Sequence, residues 1–279
     1  MIEHRLRLCP RISRRASHEM ILMFAKYGDH GDRLVFRTDA DVKRYLAQRG
    51  IDFQKLVEQC RSFGENVPYL ENLVGSTWTV SSGAKAAVVD MQSGEEKCAV
   101  EGPGAIALST YWAHAETSVK SRMRAVEASS FAELQIAITN GIASIEAFIN
   151  HRAEIWNSSN PQDKLIDSFS DKVSFSDKVD VWVPKMTGGR SLDKSLRNWT
   201  DFQRLRKIRD DVSIHPKASG MGTSFAELSK NLNLLKTGVG GLLVQLHLLF
   251  GERIPSVIIR FFFAPEAEVV EFNNDKNGP

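Results

Sequence analysis

The chain of 279 residues carries 36 Lys and Arg against 34 Asp and Glu, a net charge of +2, with 42% apolar and 25% charged residues. That is the balance of a globular chain able to bury a core. It excludes the strongly basic field of a general nucleic-acid binder, so any such surface must be local. Three widely spaced cysteines, Cys9, Cys60 and Cys98, form no Cys-x-x-Cys pair, which argues against a disulfide framework or a zinc site and for a reducing compartment.

In chain order, the arginines at 5, 7, 11, 14 and 15 come without an apolar core segment, so the start does not read as a secretory signal. A short strand is predicted over Arg33–Arg37. A helix runs from Thr38 or Asp39 to Gly50, where glycine supplies the left-handed end, and another covers Phe53–Phe63. Thr77–Val80 and Lys85–Met91 read as strands, and the turn Gln92–Glu95 returns the second of them as Lys97–Glu101.

From about Ala105 the apolar period becomes helical. Leu108–Val126 is the first long helix. Phe131–Trp156 is the second, with one stripe through Phe131, Leu134, Ile138, Ile142, Ile145 and Ile149. A polar stretch follows, holding a duplicated hexapeptide at Phe169–Ser174 and Phe175–Asp180 that two copies are too few to make a solenoid. The third helix spans Trp199–Ile214. The fourth opens on a capping box, Ser224 with Glu227, and runs to Gly251. Gly238, Gly240 and Gly241 each cost it about 1 kcal/mol relative to Ala, which makes sense where another backbone packs close. Val257–Phe263 and Ala267–Phe272 read as two strands that rejoin the N-terminal sheet, and the tail after Asn273 is expected to be disordered.

The expected architecture is therefore α+β and mostly helical. A mixed α/β unit over residues 1–104 precedes a four-helix-bundle-like domain over 105–251, and a C-terminal β-hairpin with its tail covers 252–279. The most apolar stretch, Val239–Phe250, is broken by Gln245 and His247, short of the roughly 18 residues a membrane span needs. No membrane partner is expected, and a cytoplasmic location follows by elimination.

Several motif-like strings fail on context. Gly102-Pro103-Gly104-Ala105-Ile106-Ala107 continues into helix rather than into a second parallel strand, as a dinucleotide site would require. His18-Glu19 lacks a second His, and His114-Ala115-Glu116 lacks the cysteines of a zinc deaminase. There is no phosphate-binding loop and no nucleophile elbow. No cofactor and no metal ligand set is assigned. His114 and His151 read as solvated helix residues, and His247 as a helix-face residue with no evident partner.

Arg209-Asp210-Asp211-Val212-Ser213-Ile214-His215-Pro216 is different. At about 100° per residue, Trp199, Phe202, Leu205, Ile208 and Val212 span one face, and Arg209 projects within it while Arg204 and Lys207 point to solvent. A guanidinium on that face must be paired or must line a wetted crevice. Glu146, bordering the stripe of the second helix, is one candidate partner. His215 precedes Pro216, so the helix ends near Ile214 and the imidazole is released from the helical repeat. Residues 197–217 hold six Lys and Arg against three Asp, a modest basic surface that suits a phosphate backbone.

This segment resembles the signature of HEPN (higher eukaryotes and prokaryotes nucleotide-binding) domains: an Arg, often followed by Asn, Asp or His, then a His after four to six intervening residues, here five. The stretch Ile138–Arg152 is similar to the first core helices of many prokaryotic members. The resemblance covers about 105–251 and leaves the N-terminal unit unexplained. It departs from the family in having Asp210 where Asn is commoner, and in its long polar insertion.

The resemblance implies a metal-independent endoribonuclease acting as a homodimer, with two motifs facing one cleft, in a toxin or antiviral-defence role with an antitoxin or sensor partner. On that reading His215 moves the protons of 2′-hydroxyl attack, Arg209 stabilises the phosphorane and Asp210 orients one of them. Arg204, Lys207 and Lys217 would bind RNA and Glu146 would support the site. Two alternatives stand beside it. One is a non-catalytic module of the same shape, for dimerisation or for nucleotide or RNA binding. The other is a helical scaffold with Arg209 in a core ion pair.

Overall fold

The computed structural model describes residues 2–28, 35–62, 85–89, 96–102, 109–167, 172–214 and 223–273. The protein is α+β and predominantly helical. Strand β1 (Ile2–Leu8) pairs antiparallel with β4 (Ala267–Asn273), with Leu6 opposite Val269, and β2 (Lys85–Val89) pairs antiparallel with β3 (Glu96–Glu101).

The first helix, α1 (Arg14–Tyr27), is capped by the Ser13 hydroxyl, which accepts from the Ala16 amide. It buries Met20 against the main core and turns Ile21 and Leu22 toward α2 (Asp39–Gln48) and α3 (Phe53–Arg61), where Val42, Phe53 and Val57 complete a small second core. Helix α2 begins at the Thr38–Asp41 capping box and is followed by left-handed Gly50 at φ +71°. The β2–β3 hairpin lies where the alternation predicts it. The residues predicted as a strand at Thr77–Val80 and as a turn at Gln92–Glu95 lie outside the described set.

The main core is built by α4 (Thr110–Glu127), α5 (Phe131–Ser159), α8 (Arg197–Arg209) and the long helix formed by α9 (Phe225–Leu234), a π-helical turn (Leu235–Gly240) and α10 (Gly241–Phe250). All six residues of the α5 stripe except Phe131 are buried. The Ser224–Glu227 capping box forms. The glycines of the long helix stand where neighbours approach. A Cβ on Gly238 would lie 2.9 Å from the Phe202 nitrogen, one on Gly240 3.1 Å from the Phe262 nitrogen, and one on Gly241 2.8 Å from the Asn198 side chain. The 26 residues from Phe225 to Phe250 are long and apolar enough to cross a membrane by composition, yet most of that stretch is buried inside the protein.

Between α5 and α8 the chain makes two short helices, α6 (Phe175–Asp177) and α7 (Val183–Met186), joined by a π-helical turn over Lys178–Trp182. The second copy of the hexapeptide repeat therefore starts a helix that buries Val179 and Trp182.

Three expectations need correction. Val257–Phe263 is not a strand: Ser256–Phe262 forms helix α11, with Pro255 at its N-cap. Val257, Ile258, Ile259 and Phe261 are buried on several sides at once, and a short apolar run buried all round carries no period that separates helix from strand. There is accordingly no C-terminal hairpin. The strand expected at Ala267–Phe272 does form, as β4, and it does pair with an N-terminal strand, although that strand, β1, and helix α1 are not among the elements the alternation predicts. The third correction is at Arg33–Arg37, where the described part, 35–37, is not extended into a strand.

Candidate functional site

Helix α8 starts at Leu196, whose extended backbone (φ −72°, ψ 149°) breaks the preceding loop. Its buried Phe202 and Leu205 press against the π-helical turn of the long helix. At the other end the Asp210 amide donates to the carbonyls of Arg206 and Lys207, and the backbone widens into a π-helical turn over Asp210–Ile214. Turns of this kind lodge an extra residue in the helix and shift the side chains that follow.

Arg209 sits at that junction. Its Nε and Nη2 donate to Asp210 Oδ1 at 3.0 and 2.7 Å. The arginine side chain is 21% exposed and the aspartate 40%, so the pair is half-buried at the surface rather than sealed in the core. Nη1 is not part of this pair. Arg209 does lean into the buried face, as the helical phase predicts, and Asp210 is the residue that orients it.

The pair with Glu146, the partner named for the scaffold alternative, does not form. Glu146 Oε1 instead accepts from Lys178 Nζ at 2.5 Å, a lysine brought in by the turn between α6 and α7 and only 9% exposed. A carboxylate taken up by a nearly buried ammonium is not offered to Arg209, and among the described residues the carboxylate that Arg209 meets is that of Asp210. Arg204 and Lys207 are exposed on a different flank of α8. His215 and Lys217 lie outside the described residues.

A second polar cluster escaped the sequence reading. The Tyr111 hydroxyl meets His247 Nε2 at 2.9 Å, His247 Nδ1 stands 3.4 Å from Glu252 Oε2, and Arg152 pairs with that same carboxylate oxygen. Phe148 and Phe250 wall the cluster. The imidazole is 5% and the Glu252 side chain 8% exposed. Burial holds the His247 pKa below its ordinary value, only partly offset by Glu252, and pushes the Tyr111 phenol up. A neutral imidazole with Nδ1 protonated lets Nε2 accept from the phenol and presents the Nδ1 proton to Glu252. The arrangement bolts α4, α5 and α10 together, and a phenol whose ionisation is suppressed is a poor nucleophile. The available signal was His247 itself, a polar residue in an otherwise apolar helix, which demands a partner.

The other histidines are less isolated than expected. His114 Nδ1 lies 2.8 Å from Asn140 Oδ1, and His151 lies 3.9 Å from Glu154 on the same helix. Among the described residues no group of His, Cys, Asp or Glu is placed to hold a metal ion.

Fold and site together define a helical α+β protein with a half-buried Arg–Asp pair at the π-turned end of a basic helix. Compared with models of known protein families, with curated proteins and with solved structures, the chain matches none.

Proposed function

We propose that this protein is a HEPN-like endoribonuclease. The observation that supports the reading is the state of Arg209: it is half-buried, held by the adjacent Asp210, and not paired with Glu146, whose carboxylate goes to Lys178. A guanidinium fixed through Nε and Nη2 is oriented in advance, and Nη1 is then available to a phosphate.

The chemistry needs no protein nucleophile. The RNA 2′-hydroxyl attacks the adjacent phosphorus, a base takes its proton, an acid protonates the departing 5′-oxygen, and the charge gathered on the phosphorane is met by a cation. His215, six positions after Arg209, has the chemistry for the proton transfers near neutral pH. Arg209 meets the charge. The products carry a 2′,3′-cyclic phosphate or its hydrolysed form. The same reading places the protein in the cytoplasm as a homodimer and gives it a toxin or defence role.

The test is cleavage of single-stranded RNA by purified protein in the presence of a chelator, with the new ends analysed for cyclic phosphate. Arg209→Ala and His215→Ala should each lower the cleavage rate by about 10²-fold or more, and each should relieve any growth defect caused by expression. Intact RNA after prolonged incubation, with wild-type and His215→Ala cells growing alike, would sink the enzyme and leave a non-catalytic helical module.

A further inference from the structure

Helix α8 carries Arg197, Arg204, Arg206, Lys207 and Arg209 and a single acid, Asp201. That one carboxylate is turned inward, with a side chain 2% exposed. It accepts from Thr237 Oγ1 of the long helix at 2.6 Å and from Arg197 Nε at 3.1 Å, and it lies 3.6 Å from Arg204 Nη1. Arg197 and Arg204 themselves are 78% and 59% exposed. The buried charge is thus satisfied by two arginines whose outer edges face solvent.

Helical phase places these groups together. At about 100° per residue, Arg197, Thr200, Arg204 and Lys207 fall within roughly 80° of one another, along about 15 Å of axis. All four are exposed, and no acid interrupts them before Asp211. Arg209 lies roughly 120° or more around the helix from each of these cations, so this flank is separate from the Arg209–Asp210 pair.

We propose that the flank bearing Arg197, Arg204 and Lys207 is a docking track for the phosphodiester backbone of single-stranded RNA, with Asp201 as its positioning residue. The inference rests on the ribonuclease reading for the choice of polyanion. A line of cations and a hydroxyl offers donors to successive phosphates and nothing that reads a base edge, so binding there is sequence-tolerant and salt-sensitive. Asp201 accepts from Arg197 Nε while the arginine side chain stays 78% exposed, and a side chain held in this way loses less rotamer freedom on binding than a loose surface arginine. The track grips substrate at a distance from the reacting phosphate.

The experiment uses the full chain and a short fluorescein-labelled single-stranded RNA whose 2′-hydroxyls are methylated, so that it binds without being cleaved. Fluorescence anisotropy is followed as salt rises. Replacing Arg197, Arg204 and Lys207 together by Ala should weaken binding about tenfold or more, and should flatten the slope of log Kd against log salt by about 2, near 0.7 for each phosphate no longer neutralised. Arg197→Lys keeps the charge but loses the Nε bond to Asp201. A measurable loss of affinity in that variant supports positioning by Asp201, and unchanged affinity overturns it.

On cleavable RNA, the KM of the triple variant should rise with Kd while kcat falls less. If the triple variant binds with the affinity and salt slope of the wild type, or if the wild type binds no RNA, the track is wrong. If the wild type binds through these residues but never cleaves, the track stands and the ribonuclease reading falls. If it cleaves and the triple variant keeps the wild-type KM, the reverse holds.

Discussion

His247 and Arg209 illustrate two answers to the same problem, a polar side chain turned toward an apolar helix face. His247 is enclosed with Tyr111, Glu252 and Arg152, and burial keeps its imidazole neutral. The folded-state pKa lies below that of the unfolded chain, which takes up a proton near pH 6.5. Stability is therefore complete above that value and is lost as pH falls below it. The melting temperature should drop as pH falls below about 6.5, and His247→Gln, which has no such titration, should flatten the decline. Equal declines would assign the titration elsewhere. Removing the cation instead, by Arg152→Met, leaves Glu252 buried without its partner and should cost about 3–5 kcal/mol in denaturant unfolding. Arg209 was legible from helical phase alone, because 100° per residue is a property of the backbone. The choice of its partner was not. Glu146 and Asp210 were both within the sequence's reach, and only the arrival of Lys178 from the α6–α7 turn removed the first.

At the scale of elements, periodicity served well where a stripe was long. Helices α5, α8 and the α9–α10 rod lie where apolar residues recur at three and four, α4 lies where the helical period begins, and the expected Ser224–Glu227 capping box forms. Of the three glycines of the rod, Gly238 and Gly240 meet a neighbouring backbone as expected, whereas Gly241 meets the Asn198 side chain. The contact at Gly238 is with the backbone of α8, including the Asp201 carbonyl carbon at 3.0 Å from where a Cβ would stand. Gly238→Ala should therefore destabilise by about 1–3 kcal/mol through displacement of α8, despite its gain in helix propensity of about 1 kcal/mol. Gly241→Ala meets only the Asn198 side chain, which can swing aside, so its cost should be smaller. Thermal melts of the two variants compare them directly, and equal or reversed losses would mean that the α8 contact is not the constraint. Periodicity failed at Val257–Phe263, where buried residues fall on several sides, and at α1, whose apolar residues form one continuous run, Met20–Ala25, rather than a stripe.

For the whole molecule, the pairing of β1 with β4 ties the two ends of the described chain into one ribbon over the helical core. Leu6, 4% exposed, plugs into that core, and its amide donates to the Ser129 hydroxyl in the turn between α4 and α5. Leu6→Ala should cost about 2–5 kcal/mol. A urea midpoint within error of the wild type would show that the ribbon is peripheral to folding.

The sequence by itself determined the class, α+β with a helical majority, the stripes of the long helices, their caps, the close-packed glycines and the inward lean of Arg209. All of these follow from local backbone geometry and side-chain periodicity. Only the tertiary structure decided that the last apolar run is a helix, that β4 closes on β1, that Glu146 serves Lys178, and that the lone acid of α8 is buried behind its arginines. Those outcomes depend on which groups distant in the chain arrive side by side, and on the desolvation cost each charge must meet there. A local pattern carries no information on either.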